Sequence, residues 1–166
     1  MMLDVTVLRE GKPVYSNIAL NDAVISKGSV ARVVRLDVST EEGRLTRITG
    51  DGAIVSTPTG STAYNLSNGG PIIVPRAGIM CLTPVAPHSL SVRPIVISDD
   101  SEITLEVESR SHNFLAAIDG RSEKLMEGTR ITIRRAPFNV NIIKCSNRRY
   151  FSTLREKLMW GADNRS

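Results

Sequence analysis

Glycine and hydroxyl residues are concentrated between Gly50 and Pro71, where the sequence reads GDGAIVSTPTGSTAYNLSNGGP. This stretch predicts a buried strand over residues 53–56, then a polar loop, then a helical turn over residues 62–68 that Gly69-Gly70 ends. A strand, a small-residue loop and a helix start can cradle a phosphate or a nucleotide, because the free N–H groups of a first helical turn point one way and carry partial positive charge. A capped surface turn shows the same local pattern, so the pattern alone leaves both interpretations open.

The loop residues define what such a site could offer a ligand. Ser61 is suited to cap the helix through its hydroxyl. Around it, small and hydroxyl-bearing side chains would let a ligand approach the backbone closely while offering hydrogen bonds. These residues are Thr57, Thr59, Gly60 and Thr62. The loop is therefore a candidate binding site built from hydroxyls and backbone amides.

An amide and a carboxylate, Asn21 and Asp22, follow an extended run over residues 14–20. The two side chains could hold a ribose diol or an amide, since both accept hydrogen bonds and Asn also donates them. A solvated turn has the same composition. The residues alone therefore leave the role of this pair open.

Histidine and cysteine residues give little support for catalysis or metal binding. His88 lies in a proline-rich loop, and no Ser or Cys nucleophile with a supporting carboxylate is indicated near it, which favours a hydrogen-bonded loop residue over a catalytic base. His112 is predicted to be an exposed turn residue. Cys81 and Cys145 are far apart, so reduced thiols in a cytoplasmic protein are expected, and the histidines and cysteines together show no metal-ligand spacing.

Composition narrows the class of protein further. With 166 residues, 41% of them hydrophobic and 23% charged, one folded domain is expected. No apolar run approaches the roughly 18 residues that a membrane span requires, so no membrane association is predicted. The net charge of +4 favours an anionic ligand, whereas one Trp, three Tyr and three Phe argue against a single-stranded nucleic-acid platform.

Short strands separated by turns dominate the predicted secondary structure. Alternating apolar positions, such as Leu3, Val5 and Val7, indicate half-buried strands. Residues 94–98 and 102–109 are predicted to pair around Asp99-Asp100-Ser101. About nine to ten strands, a short helix after the TPTGSTAY loop and a C-terminal helix predict an all-β, antiparallel, sandwich-like domain. The predicted strands cover residues 3–7, 14–20, 29–38, 44–49, 53–56, 94–98, 102–109, 114–118, 130–135 and 140–144.

The period of the apolar residues changes at the carboxy-terminal end. Phe151, Leu154 and Leu158 follow helical spacing in YFSTLREKLMW, and Trp160 lies near the end of this segment. The predicted amphipathic helix would leave part of this apolar stripe exposed unless another domain or chain covers it.

The segment from Asp51 to Tyr64, followed by Gly69-Gly70-Pro71, resembles the signature of the second domain of NAD kinases. Three further segments resemble the same family in the same order: ALNDAVISKG at 19–28, TPVAPHSLSVRPIVI at 83–97 and AIDGR at 117–121. The resemblance covers nearly the whole chain.

Membership of this family would imply transfer of a phosphoryl group from ATP, or from polyphosphate, to the 2′-hydroxyl of the adenosine ribose of NAD, giving NADP. A divalent cation, Mg²⁺ in the first place, would accompany ATP. The family places its catalytic aspartate in a Gly-Gly-Asp-Gly motif of a first α/β domain, and this sequence has no such motif. We therefore expect the chain to be the carboxy-terminal, NAD-binding half, inactive alone, with no catalytic residue of its own and with assembly into a homo-oligomer through the β domain.

Two units are expected on this basis. One is an NAD-binding β domain over residues 1–149, and the other is a helix over residues 150–166 that packs on the family's first, α/β domain or on a partner chain. The resemblance implies that Thr59 lies near the adenine and that Asp51 and Ala86 lie near the nicotinamide, from the same or a neighbouring subunit. Tyr64 is suited to stack its ring and donate its hydroxyl. The implied NAD-binding residues are Asn21, Asp22, Arg32, Asp51, Thr59, Thr62, Ala63, Tyr64, Asn65, Leu66, Ser67, Ala86, Asp119 and Arg121.

Two alternatives remain at this stage. The diacylglycerol and sphingosine lipid kinases share the Gly-Asp-Gly motif of the first domain, but the TPTGSTAY segment favours an NAD kinase. A non-catalytic dinucleotide-binding or oligomerisation module is the alternative from a different functional class.

Overall fold

Twelve β-strands, a 3₁₀ turn and two helices are present in the computed structural model, which describes residues 1–28, 32–143, 147 and 149–161. The helices are short, and strands account for most of the regular structure. The strands are β1 Leu3–Arg9, β2 Lys12–Ala19, β3 Asp22–Lys27, β4 Val34–Thr40, β5 Gly43–Gly50, β6 Gly52–Ser56, β7 Ile79–Val85, β8 Ile95–Ser98, β9 Ile103–Ser109, β10 Asn113–Ile118, β11 Arg121–Met126 and β12 Arg130–Arg135; the 3₁₀ turn is Thr59–Thr62, and the helices are α1 Tyr64–Ser67 and α2 Tyr150–Leu158.

The strands form two antiparallel sheets of six strands each. The first sheet has the order β2-β1-β12-β9-β4-β5, and the second has the order β11-β10-β3-β6-β7-β8. Buried side chains from both sheets form one hydrophobic cluster between them, with Phe114, Leu105 and Ile25 among its fully buried members. The predicted all-β, antiparallel sandwich is confirmed.

The alternating apolar positions explain why these segments form strands. In β1, β4 and β9 every second residue is buried while its neighbours are partly or fully exposed, the pattern of a strand that covers a core with one face. The buried positions include Leu3, Val5 and Val7 in β1 and Ile103 and Leu105 in β9. Hydrophobic patterning therefore predicts which face of each of these strands is buried.

The predicted pairing of residues 94–98 with residues 102–109 is wrong. Strand β8 pairs with β7 in the second sheet, whereas β9 pairs with β12 and β4 in the first sheet. The turn between β8 and β9 carries the chain from one sheet to the other, and its Asp99 forms an ion pair of 2.7 Å with Arg135 of β12. A turn signal describes only local backbone, and it cannot report which sheet the next strand joins.

The number of strands differs from the prediction for further reasons, one of which is that β7, over residues 79–85, was not among the predicted strands. The chain on either side of Asn21 forms two strands in different sheets, and residues 121–126, with almost no buried side chain, form β11. Residues 140–143, predicted as a strand, have no regular structure. Parts of three predictions fall outside the described residues: the strand start at Ser29, the strand end at Lys144 with Cys145, and the segment 162–166.

Helix α2 forms where the helical spacing predicted it. Leu154 is buried, but Phe151, Leu158 and Trp160 remain exposed. Only one position of the apolar stripe is therefore covered by the rest of the described chain. None of the helices in the described part is long and apolar enough to cross a membrane.

Candidate functional site

The crossing between the two sheets, residues 20–22, forms the base of the candidate site. Strand β2 ends at Ala19 in the first sheet and β3 begins at Asp22 in the second. Ala19 and Ala23 are both fully buried. The backbone between them must therefore run from one sheet to the other, and its polar groups need hydrogen-bond partners outside the strands.

The signature loop, residues 57–68, follows β6 and is hydrogen-bonded directly to this crossing. The Thr57 hydroxyl donates to the Leu20 carbonyl oxygen at 2.6 Å and accepts the Gly60 N–H at 3.0 Å, while the Thr57 N–H donates to the Asn21 carbonyl oxygen at 2.9 Å. A Cβ atom on Gly60 would lie 2.0 Å from the Asn21 oxygen. Thr57 and Gly60 thus contact the protein's own backbone, contrary to the expectation that they face a ligand.

Ser61 does not cap a helix, and that prediction is wrong. It is buried inside the 3₁₀ turn, where its hydroxyl donates to the Pro58 carbonyl oxygen at 2.7 Å and accepts the Ile73 N–H at 3.0 Å. Helix α1 has only four residues and no side-chain cap. Its dipole is too small to bind a phosphate by itself, because the macrodipole grows from several aligned peptide units.

Asn65 is fully buried and its side chain bonds three parts of the chain. The amide nitrogen donates to the Ser61 carbonyl oxygen at 3.0 Å and to the Pro71 carbonyl oxygen at 3.2 Å, and the amide oxygen accepts the Thr83 hydroxyl at 2.6 Å. Gly70 packs against it, since a Cβ there would lie 2.1 Å from the Asn65 side-chain oxygen. Asn65 therefore ties the signature loop to β7.

The outer face of the signature loop is open to solvent. Thr62, Ala63, Tyr64 and Ser67 are exposed, and Tyr64 retains 47% of its accessible surface. Leu66 and Thr59 are half-buried. The structure therefore brings together an exposed tyrosine ring, exposed hydroxyls and backbone groups on a loop whose inner face is fixed by hydrogen bonds.

Asp119 and Arg121 lie at the tip of the β10–β11 hairpin, beside the crossing. The Asp119 carboxylate accepts the N–H groups of Leu20, Asn21 and Asp22 at 2.7, 2.8 and 3.2 Å. Arg121 donates to the Ile18 carbonyl oxygen at 2.8 Å. The hairpin tip is thus a third element, with the crossing and the signature loop, that builds this end of the second sheet.

Asp22 is a buried carboxyl group at the same place. Burial raises the pKa of the Asp22 carboxyl above its usual value, and the neighbouring Asp119 carboxylate adds to this rise. Its cross-strand partner in β6 is Ser56, whose buried hydroxyl has no hydrogen-bond partner among the described residues. A buried carboxyl and a buried hydroxyl therefore lie at paired positions of β3 and β6.

The remaining predicted site residues lie elsewhere. Asp51 and Ala86 adjoin the opposite end of β6, where Lys27 forms an ion pair of 2.7 Å with Asp51. At about 3.3 Å per residue, the strand separates Asp51 from Thr57 by about 20 Å. Arg32 is exposed and donates to the Arg110 carbonyl oxygen at 3.1 Å. The predicted NAD-binding residues thus form one main group at the crossing and smaller groups apart from it.

The two histidines lie away from the crossing. His88 is exposed, and its N–H donates to the Thr49 carbonyl oxygen at 2.8 Å. His112 is an exposed turn residue, as predicted, with its ring 2.7 Å from the Glu127 carboxylate. Within the described ranges, no group of three or more His, Cys, Asp or Glu side chains is placed to hold a metal ion.

A family model described as the ATP-NAD kinase C-terminal domain matches residues 20–145. The chain belongs to this family. The matched range includes the crossing, the signature loop and the β10–β11 hairpin, the three elements that build the candidate site. The resemblance of the sequence to NAD kinases is therefore confirmed.

Curated relatives of this NAD kinase domain carry the same family name. The NAD kinase of Bacteroides fragilis is 56% identical over 147 residues, which cover 89% of this chain and 51% of that protein. The NAD kinase of Porphyromonas gingivalis is 44% identical over 161 residues, covering 97% of this chain and 55% of that protein. The chain spans about half the length of these NAD kinases.

Solved structures of NAD kinases share the fold. A yeast NADH kinase complexed with NADH matches with a TM-score of 0.89 and 26% identity, over 99% of this chain and 51% of that chain. An NAD kinase from Archaeoglobus fulgidus in complex with ATP matches with a TM-score of 0.68 and 27% identity, over 82% of this chain and 51% of that chain.

Sequence reasoning missed residues that hold the NAD kinase signature loop in place. Thr83 is buried in β7 and donates to Asn65, and Ile73 joins the loop through Ser61. Neither position carries a local sequence signal, since each contact joins segments more than ten residues apart and depends on how the chain returns to the second sheet.

Proposed function

We propose that this chain is the NAD-binding half of an NAD kinase, which transfers a phosphoryl group from ATP, or from polyphosphate, to the 2′-hydroxyl of the adenosine ribose of NAD. The observation that carries the proposal is the exposed face of the signature loop. Thr62, Ala63 and Tyr64 stand open to solvent on a loop whose buried side is bonded to the crossing at Asn21. Membership of the NAD kinase family and the solved relatives with bound NADH or ATP support the same assignment.

The exposed groups suit a dinucleotide. Tyr64 offers an aromatic face for a purine ring, and its hydroxyl and that of Thr62 offer hydrogen bonds to ribose. Asn21, whose backbone contacts the signature loop, carries a side chain that can both donate and accept hydrogen bonds. These groups position a ligand and contain no activated nucleophile, so binding is the role that we assign to this chain.

The phosphoryl transfer itself would need groups beyond this site. Magnesium brought by ATP would neutralise charge on the transferred phosphoryl group, and a catalytic aspartate in a Gly-Gly-Asp-Gly motif, absent from this sequence, would take the hydroxyl proton. A groove of about 1170 Å³ lies between α2 and the signature loop, lined among others by Leu20, Thr59, Tyr150 and Phe151. We propose that the other half of an NAD kinase packs in this groove against α2.

Calorimetry with NAD and NADP tests the binding role. Tyr64→Ala should weaken NAD affinity about fivefold or more, equivalent to about 1 kcal/mol, because an aromatic stacking surface is lost. Val14→Ala, which shortens an exposed side chain on the edge strand β2, is the matched control and should leave the affinity unchanged. Equal affinities for the wild type and Tyr64→Ala would contradict the proposed binding face.

An assay with NAD, ATP and magnesium tests whether this chain binds NAD without catalysing phosphoryl transfer. Residues 1–166 alone should give no NADP, because their sequence lacks the motif that carries the catalytic aspartate in this family. Measurable turnover would show that the chain contains a complete active site. NAD binding without turnover is the expected result.

A further inference from the structure

The Asp119 carboxylate is fully engaged with the protein backbone. Its Oδ2 atom accepts the Leu20 N–H at 2.7 Å, and its Oδ1 atom accepts the N–H groups of Asn21 at 2.8 Å and Asp22 at 3.2 Å. The Asp119 N–H in turn donates to the Asp22 carbonyl oxygen at 3.0 Å. One residue at a hairpin tip thus binds three consecutive amides that lie almost a hundred positions earlier in the sequence.

Three backbone N–H donors converge on the Asp119 carboxylate, and they limit its availability to a ligand. Hydrogen bonds between backbone N–H groups and an ionised carboxylate are shorter and stronger than those between neutral groups. A ligand that competed for Asp119 would leave partly buried amides of the crossing without this partner, which costs free energy. Asp119 is therefore suited to hold backbone rather than to contact a ligand.

The opposite side of the crossing is held as well. Thr57 binds the carbonyl oxygens of Leu20 and Asn21, and Arg121 binds the carbonyl oxygen of Ile18. The amides of the crossing therefore point to the hairpin tip while two of its carbonyls point to the signature loop. The direction in which the Asn21 side chain leaves the backbone is fixed by these two elements together.

We propose that Asp119 is a positioning residue, which orients Asn21 for NAD binding by holding the backbone amides of Leu20, Asn21 and Asp22. This inference rests on the proposed function and refines it. Asp119 was predicted to contact NAD directly, whereas here it is proposed to affect NAD binding by positioning another residue. Any effect of Asp119 on NAD affinity must then come from the position that it gives to residues 20–22.

Amide hydrogen exchange measures the structural part of the proposal. In Asp119→Asn one of the two carboxylate oxygens becomes an NH₂ group, which cannot accept a hydrogen bond. Depending on the orientation of the amide, either the Leu20 N–H or the N–H groups of Asn21 and Asp22 lose their acceptor. Exchange at residues 20–22 should accelerate about tenfold or more. Glu41→Gln is the matched control, because the Glu41 carboxylate also accepts a distant backbone N–H, that of Glu102 at 3.0 Å, but in the turn between β4 and β5 of the first sheet. Unchanged exchange at residues 20–22 in Asp119→Asn would overturn the proposal.

A double-mutant cycle on NAD affinity measures the functional part. Asp119→Asn should weaken NAD binding about tenfold in the wild-type background and have little further effect in an Asn21→Ala background, because coupled residues are not additive. Additive losses would mean that Asp119 contacts NAD independently, and they would overturn this inference alone. A wild-type chain that binds no NAD would overturn the proposed function and this inference with it. The control variant Glu41→Gln should bind NAD as the wild type does.

Discussion

Two neighbouring residues of the signature loop have opposite environments. Asn65 is fully buried and its amide bonds to three other segments, whereas the ring of Tyr64 is 47% exposed. Both residues were predicted to bind NAD because the family motif includes both. The structure gives Asn65 a role in the fold that is sufficient to explain its residue type.

Asn65→Ala should lower the free energy of unfolding by roughly 1–3 kcal/mol, because the Thr83 hydroxyl and two backbone carbonyls lose a buried partner. Asn68→Ala is the matched control. The Asn68 side chain donates an exposed hydrogen bond to the Tyr64 carbonyl oxygen, so the loss of this bond should cost less than about 1 kcal/mol. Urea denaturation measures both variants. If Asn65→Ala abolished NAD binding with unchanged stability, Asn65 would be a ligand contact instead.

The buried Asp22 carboxyl should make stability depend on pH. Its pKa is raised in the folded protein, so between its usual value of 3.8 and the raised value the folded state binds more protons than the unfolded state, and stability falls as the pH rises through this window. Asp22→Asn, which cannot ionise, should therefore be more stable than the wild type at neutral pH.

Thermal denaturation across the acidic range measures this effect. The advantage of Asp22→Asn over the wild type should shrink as the pH falls toward and below 3.8, because below this value the carboxyl is mostly protonated in both the folded and the unfolded state. Asp100→Asn, which removes an exposed carboxylate in the turn after β8, serves as the control for the loss of one acidic group. A constant difference between Asp22→Asn and the wild type would contradict the prediction.

At the scale of the elements, the contact between the signature loop and the crossing is a contact between backbones. The alpha carbon of Gly60 faces Asn21, and a side chain there would meet the Asn21 oxygen at 2.0 Å and its alpha carbon at 2.7 Å. Backbone atoms cannot swing aside as the end of a flexible side chain can. The two elements can approach this closely only with glycine at this position.

Gly60→Ala should therefore destabilise the protein by roughly 1–3 kcal/mol through overpacking, and it should also weaken NAD binding, since the loop must move away from Asn21. Gly78→Ala is the control, because a Cβ there would come no closer than 3.3 Å to any atom, and that atom belongs to the Asp99 side chain. Urea denaturation and calorimetry measure the two effects. Wild-type stability in Gly60→Ala would show that the loop is free to shift.

The elements themselves could be predicted, but their partners could not. Alternation of apolar residues gave the buried faces of β1, β4 and β9, because a strand with one face on a core must alternate. Strand β11 carries almost no buried residue, so it has no such pattern. Strand β8 pairs with β7 and strand β9 pairs with β12 and β4, and no local turn signal encodes these long-range partners.

At the scale of the whole molecule, the sandwich places three distant segments at one end of the second sheet. The crossing at residues 20–22, the signature loop at 57–68 and the hairpin tip at 119–121 meet because β3, β6 and β10 are brought into one sheet. The family motifs predicted these segments as parts of a site. They could not predict that Asn65, Thr57 and Asp119 bond to the protein itself, since motif resemblance reports residue types and not the directions of their side chains.

The hydrogen bonds that join Thr57 to the crossing and to Gly60 also bear on how fast and at what entropic cost a ligand could be captured. A loop already anchored by its inner face has little conformational freedom left to lose, so recognition would proceed as docking onto a prepared surface. Association would then be limited mainly by diffusion and orientation, with only a small ordering penalty from the protein side.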